Sequence, residues 1–232
     1  MYFGTLNAIR VTAMRQKEIP AVIRILKRKC LEFKTPYVTQ VSKELRKDPF
    51  RVLVSCILSL RTKDATTREV SLRLFEMAAT PRELAALDAK KIEKAIYPAG
   101  FYRVKAGVLK GLSQEIEEKH NGRVPDTIDG LLALRGVGRK TANLVVTMGF
   151  GKPGICVDTH VHRITNRWGL IRTKTPDETE YALREKLPER YWIIFNDLLV
   201  TFGQNLCTPV SPYCGVCPIY GYCARAGVVR SR

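Results

Sequence analysis

The chain has 232 residues, 45% of them apolar and 26% charged, a balance that excludes wholesale disorder. Lys and Arg number 39 against 22 Asp and Glu, a net charge of +17 that asks for a polyanionic partner; nucleic acid ranks above an anionic lipid surface, since no strongly basic amphipathic helix with an exposed aromatic face is evident. No apolar run approaches the ~18 residues of a membrane span, and Arg10 and Arg15 break up the region where a signal-peptide core would lie. The expectation is a protein that is not secreted, cytoplasmic and nucleoid-associated or nuclear, with no membrane partner.

Helix punctuation recurs along the chain. Asp48-Pro49 sets a capping carboxylate before a first-turn proline and predicts a helix through the apolar run Val52 to Leu60. Thr80-Pro81-Arg82-Glu83 and Thr175-Pro176-Asp177-Glu178 both fit a capping box. Between Lys105 and Lys119, apolar Ala106, Val108, Leu109, Leu112 and Ile116 recur at helical spacing, and Asn121-Gly122 ends that helix. Thr127 to Ala133 and roughly Arg139 to Met148 read as two helices, and Gly-Lys-Pro-Gly at 151–154 breaks helix without announcing a hairpin. Thr159 to Trp168 and Tyr191 to Phe202 are predicted helices, the second well buried. Alternating strand patterns are scarce, so the expected class is all-α, with about ten short helices.

Seven cysteines in a chain without a secretion signal make a disulfide framework a poor reading. Cys30, Cys56 and Cys156 stand within apolar sequence and read as small buried thiols. Cys207, Cys214, Cys217 and Cys223 follow C-x6-C-x2-C-x5-C, in a tail rich in Tyr, Pro and Gly that cannot build a core of its own. Four thiolates so close can fold around one metal centre and supply the missing closing energy. The spacing alone leaves zinc and an iron–sulfur cluster both open.

Leu134-Arg135-Gly136-Val137-Gly138-Arg139-Lys140 joins the two predicted helices at 127–133 and 139–148. Gly136 and Gly138 permit positive φ and close backbone approach, and the N–H groups of the second helix would face a phosphate. Such a grip ignores base identity, as scanning along DNA requires. Lys140 falls in the first turn of that second helix, where the dipole disfavours the ammonium form and partial burial in a cleft would add to that. A neutral lysine can attack an electrophilic carbon and form a Schiff base; a phosphate-binding lysine is the alternative. Asp158 opens the next helix, as a cap or as an anion able to stabilise a developing sugar cation. His160 and His162 read as structural residues or phosphate contacts.

Together these segments resemble the endonuclease III family of DNA glycosylases, within the helix-hairpin-helix superfamily: L-x-G-V-G-R-K-T-A-N at 134–143, V-D-T-H at 157–160 and the four-cysteine tail occur in the family's order, over about residues 30–223. The resemblance implies two helical domains flanking a DNA-binding cleft. Residues 42–152 would carry the hairpin, and 1–41 plus 153–232 the other domain. It implies a [4Fe–4S] cluster on Cys207, Cys214, Cys217 and Cys223, Lys140 as catalytic lysine and Asp158 as catalytic aspartate. The implied activity is removal of oxidised pyrimidines from double-stranded DNA by a monomer. Lys140 would attack C1′ of a flipped-out nucleotide and the Schiff base would cut abasic sites by β-elimination. Gly136, Val137, Gly138 and Arg139 would contact DNA. Phe101, in Gly100-Phe101-Tyr102, matches a loop that wedges into the base stack. Arg61 stands where the family carries a gap-filling glutamine, and an arginine there can donate to guanine. The competing expectations are a G:T or G:U mismatch glycosylase of the same fold, which Lys140 argues against, and a non-catalytic DNA-binding module with a zinc-stapled tail.

Overall fold

The computed structural model describes residues 13–33 and 48–232; the expected domain boundary at residue 42 lies outside them. The described residues form eleven α-helices and no strand, so the class is all-α. In chain order the helices are α1 (Ile19–Cys30), α2 (Pro49–Ser59), α3 (Asp64–Met77), α4 (Pro81–Ala86), α5 (Ala89–Ile96), α6 (Tyr102–His120), α7 (Ile128–Leu132), α8 (Arg139–Leu144), α9 (Thr159–Arg167), α10 (Pro176–Lys186) and α11 (Trp192–Asn205). None is long and apolar enough to cross a membrane.

The chain divides into two compact units, one drawn from Thr35–Asp158 with Pro188–Asp197, the other from Met1–Lys34, Thr159–Leu187 and Leu198–Arg232. In the first unit α2 is the central element. Every side chain from Val52 to Leu58 is buried, the all-round apolar pattern of a core helix. Its start is fixed by Asp48, whose carboxylate accepts from the Phe50 and Arg51 amides at 2.9 and 3.1 Å. The box at Thr80 closes α4 in both directions, with Glu83 N–H on Thr80 Oγ1 and Thr80 N–H on Glu83 Oε2. At Thr175 only half of the box forms, because Glu178 accepts from the Lys174 amide instead.

Helix α6 begins at Tyr102, three residues before the predicted Lys105, because Phe101 takes a left-handed conformation (φ 58°) and hands a full extra turn to the helix. It ends as expected, at left-handed Asn121 and Gly122. The helix begun at Arg139 runs on through a π-helical turn, Val145–Gly149, before Gly151 stops it. In the second unit, buried Val22, Leu26, Ile164, Trp168, Leu183, Leu199 and Phe202 make up much of the core. The cysteine-rich tail adds two short 3-10 turns, Cys214–Val216 and Tyr220–Tyr222, and is pinned by main-chain bonds from Ala224 to Trp168 and from Ala226 to Arg167.

Candidate active site and cysteine tail

Helices α7 and α8 and the turn between them form the helix–hairpin–helix. Thr127 caps α7 by accepting from Gly130 N–H at 3.1 Å. In the turn, Val137 N–H donates to Leu134 C=O, with Gly136 third at φ 73°, a position glycine suits best. Gly138 departs from the expectation of positive φ. It is extended (φ −93°) and serves as the N-cap of α8, where it offers no side-chain cap to the first-turn amides. The hairpin is fastened to α6: Arg135 N–H donates to Glu115 Oε2 at 3.0 Å. The Glu115 carboxylate is held below its usual range first by the Lys119 ammonium and then by that amide. Val137 is buried and holds the turn in the core, whereas Gly136, Gly138 and Lys140 are exposed and Arg139 is half-buried.

Lys140 occupies the first turn of α8 as the sequence predicts, but it is exposed rather than partly buried. Its charge reaches α2: the Cys56 thiol, pushed up to about 12 by burial, feels Lys140 as an opposing influence. Asp158 is half-buried and directly precedes α9. Asn143, three residues after Lys140 and fully buried, ties the two segments together. Its Oδ1 accepts from Ile155 N–H at 3.0 Å and its Nδ2 donates to Arg139 C=O at 3.2 Å. The backbone leading to Asp158 is therefore anchored on the helix that carries Lys140. The motif displayed this asparagine, yet only the structure shows what its amide holds.

A second pair of elements lies in the same unit. Arg61 follows the C-terminus of α2 and Phe101 precedes α6; both are left-handed, at φ 52° and 58°. Phe101 is 60% exposed, and the Arg61 guanidinium lies 5.3 Å from its ring centroid. Behind them stands Lys105, a buried lysine to which the sequence reading gave no role. Its signal was its place on the buried stripe with Leu109, Leu112 and Ile116. Burial pushes its ammonium down to about 8.

In the other unit, Cys207, Cys214, Cys217 and Cys223 all line one cavity and none is in a disulfide. Among the described residues no three His, Cys, Asp or Glu side chains gather around a point that could hold a single metal ion; the four thiols ring a space instead. N–H donors face two of the sulfurs. Buried Arg167 reaches Cys207 Sγ at 3.5 Å and the Arg225 amide reaches Cys223 Sγ at 3.4 Å, contacts suited to electron-rich thiolates. Burial pushes the Cys217 and Cys223 thiols up to about 12 and about 11, so ligation there releases protons. The donor set fits an iron–sulfur cluster. His160 meets Arg163 at 3.1 Å and His162 meets Thr179 at 2.7 Å.

An all-helical unit that presents a glycine-capped hairpin, a lysine in its second helix and a carboxylate beyond it defines a class. Residues 54–189 match the family described as HhH-GPD superfamily base excision DNA repair protein, and 207–223 match the iron-sulfur binding domain of endonuclease III. Endonuclease III of Thermotoga maritima is 48% identical over 176 residues, spanning 76% of this chain and 83% of that protein. That of Bacillus subtilis is 38% identical over 186 residues, 80% and 84% of the two chains. The chain spans about half of a longer relative, the chloroplastic endonuclease III homolog 1 of Arabidopsis thaliana, at 49% of its length. A solved non-covalent endonuclease III–DNA complex superposes with a TM-score of 0.80 at 33% identity, covering 91% of this chain and 96% of the other. A trapped endonuclease III–DNA covalent intermediate gives 0.79 at 32% identity, covering 91% and 97%. The chain belongs to the endonuclease III family, and its iron-sulfur binding domain at 207–223 is that of a [4Fe–4S] cluster protein.

Proposed function

We propose that this protein is a base-excision-repair DNA glycosylase with abasic-site lyase activity, acting as a monomer on oxidised pyrimidines in double-stranded DNA. The observation that carries the reading is the joint placement of Lys140 and Asp158. The amine stands in the glycine-capped first turn of α8, and Asn143 anchors the Asp158 segment to that helix. Gly136, Gly138 and Arg139 lie at a positive helix end that has no side-chain cap and hold the sugar–phosphate chain. Phe101 enters the stack beside the extruded nucleotide and Arg61 faces the base left behind.

The neutral Lys140 amine bonds to C1′ as the C1′–base bond breaks, and the base leaves with its electron pair and a proton. Asp158 stabilises the cationic sugar or moves a proton. Opening of the C1′–O4′ bond gives the Schiff base; loss of a C2′ proton then expels the 3′ phosphate and cuts the strand. Cys207, Cys214, Cys217 and Cys223 would hold the cluster, which would supply structural closure of the tail.

A duplex carrying one thymine glycol tests the reading. The expected product is a strand cut on the 3′ side of the sugar, ending in an unsaturated aldehyde. Release of the base with the strand intact points to a monofunctional enzyme. The same duplex with A or G opposite the lesion reads Arg61: excision is faster opposite G, and Arg61→Gln removes the difference. Equal rates opposite both bases in the unaltered protein refute that assignment.

A further inference from the structure

Lys105 has no part in the chemistry above, yet it is one of the most constrained cations in the molecule. It lies in the second turn of α6 at 6% exposure. Its three N–H donors meet three oxygens: Leu58 C=O at 2.7 Å, Leu60 C=O at 2.6 Å and Thr62 Oγ1 at 2.9 Å. The first two oxygens belong to the C-terminal end of α2, where helix carbonyls lack partners and the dipole favours a cation. The third is a bridge, because Thr62 Oγ1 also accepts from Gly100 N–H at 3.1 Å. One ammonium thus joins the turn that carries Arg61 to the turn that carries Phe101.

Two further features show how closely those turns approach. A Cβ on Gly100 would stand 2.3 Å from the Arg61 carbonyl oxygen, so only glycine fits between them. Arg61 and Phe101 are both held left-handed, a conformation that is disfavoured for a residue with a side chain. Surrounding structure must over-determine such a backbone, and the Lys105 bonds supply that constraint on the Arg61 side.

We propose that Lys105 is the positioning residue of a two-turn wedge: its buried ammonium caps α2 and locks the Arg61 turn to the Phe101 turn, so that both side chains meet the duplex as one preset unit. The proposal rests on the reading of Arg61 and Phe101 as the residues that enter the stack. It predicts that the fault in a Lys105 variant appears when the duplex is opened and not when its phosphates are gripped, since the hairpin that grips them is a separate element.

The test uses the cluster-loaded protein and a duplex with 2-aminopurine beside a tetrahydrofuran abasic analogue, whose fluorescence rises on unstacking. Lys105→Met keeps the stem and removes the donors. Thr62→Val removes the bridge, together with the hydroxyl's own 3.3 Å bond to Leu60 C=O, and leaves both α2 carbonyls capped by Lys105, so it remains informative if Lys105→Met fails to fold. Thr62→Ser restores the bridging hydroxyl. The expected result is that Lys105→Met and Thr62→Val slow the fluorescence rise by about tenfold, a displaced wedge being costly. Thr62→Ser recovers it, and affinity for undamaged duplex stays within twofold in all of them. Phe101→Ala separates the two layers of the claim. If Phe101→Ala abolishes the rise while Thr62→Val leaves it intact, Lys105 is a helix cap alone and the proposal fails. If Phe101→Ala changes nothing, the wedge reading beneath it fails.

Discussion

Alanine at Gly136 and at Gly138 separates the two duties of the hairpin. At Gly136, φ is 73° and an added Cβ would lie 2.6 Å from Val108 Cγ1 on α6. The left-handed backbone costs roughly 1–2 kcal/mol and the forced repacking against Val108 roughly 1–3 kcal/mol. Reduced chain entropy in the unfolded state returns about 0.4–1 kcal/mol, leaving a net loss of about 1–5 kcal/mol, centred on ~3 kcal/mol. At Gly138, φ is −93° and nothing lies within 4 Å of an added Cβ, so Gly138→Ala should change stability by less than about 0.5 kcal/mol. Its methyl would instead project at the N-cap of α8, where the proposed grip brings a phosphate close. Urea unfolding at matched cluster occupancy gives the stabilities, and titration of a fluorescent abasic-analogue duplex gives the affinities. Gly136→Ala should lower the unfolding midpoint, while Gly138→Ala should keep the midpoint and weaken binding several-fold. Equal midpoints for the two variants, or full affinity in Gly138→Ala, would refute the argument.

Asp158→Asn should slow base release by on the order of a hundredfold while sparing affinity for the abasic analogue, measured under single turnover; an unchanged excision rate reduces Asp158 to a helix cap. Lys105 makes a pH prediction. Between about 8 and its ordinary 10.5 the folded protein holds fewer protons at this site than the unfolded chain, so its contribution to stability rises with pH across that window and is lost as pH falls through about 8. From pH 7 to pH 10 the unaltered protein should gain about 2 kcal/mol over Lys105→Met in urea unfolding; parallel pH profiles contradict this. Removing iron with a chelator should bleach the broad absorption near ~400 nm and open residues 208–232 to protease, while a tail still protected after bleaching shows that it closes without metal.

The sequence made the ends of helices most legible, because caps are local chemistry. Asp48, Thr80 and Thr127 all sit where a side-chain oxygen meets an amide two or three residues on. The cysteine tail was equally open to reading, since a segment that cannot bury itself must be closed by something else. Contacts between distant segments were hidden. Lys105 looked like one more charge between apolar residues; its partners are 43 to 47 positions away, and only folding brings them together. Gly138 looked equivalent to Gly136 because glycine permits both signs of φ, and the choice depends on which of the two starts the helix. Lys140 was placed correctly on its helix but not in its degree of burial, because exposure depends on neighbours the spacing does not reveal.

Borohydride reduction on a duplex with a single abasic site tests the central chemistry most directly, since it freezes the Schiff base as a stable protein–DNA link. The unaltered protein should give one cross-linked band whose peptide maps to Lys140, and Lys140→Gln, which keeps the hairpin and its affinity for DNA, should give none. A band of undiminished strength in Lys140→Gln would place the nucleophile elsewhere and leave Lys140 as a phosphate contact.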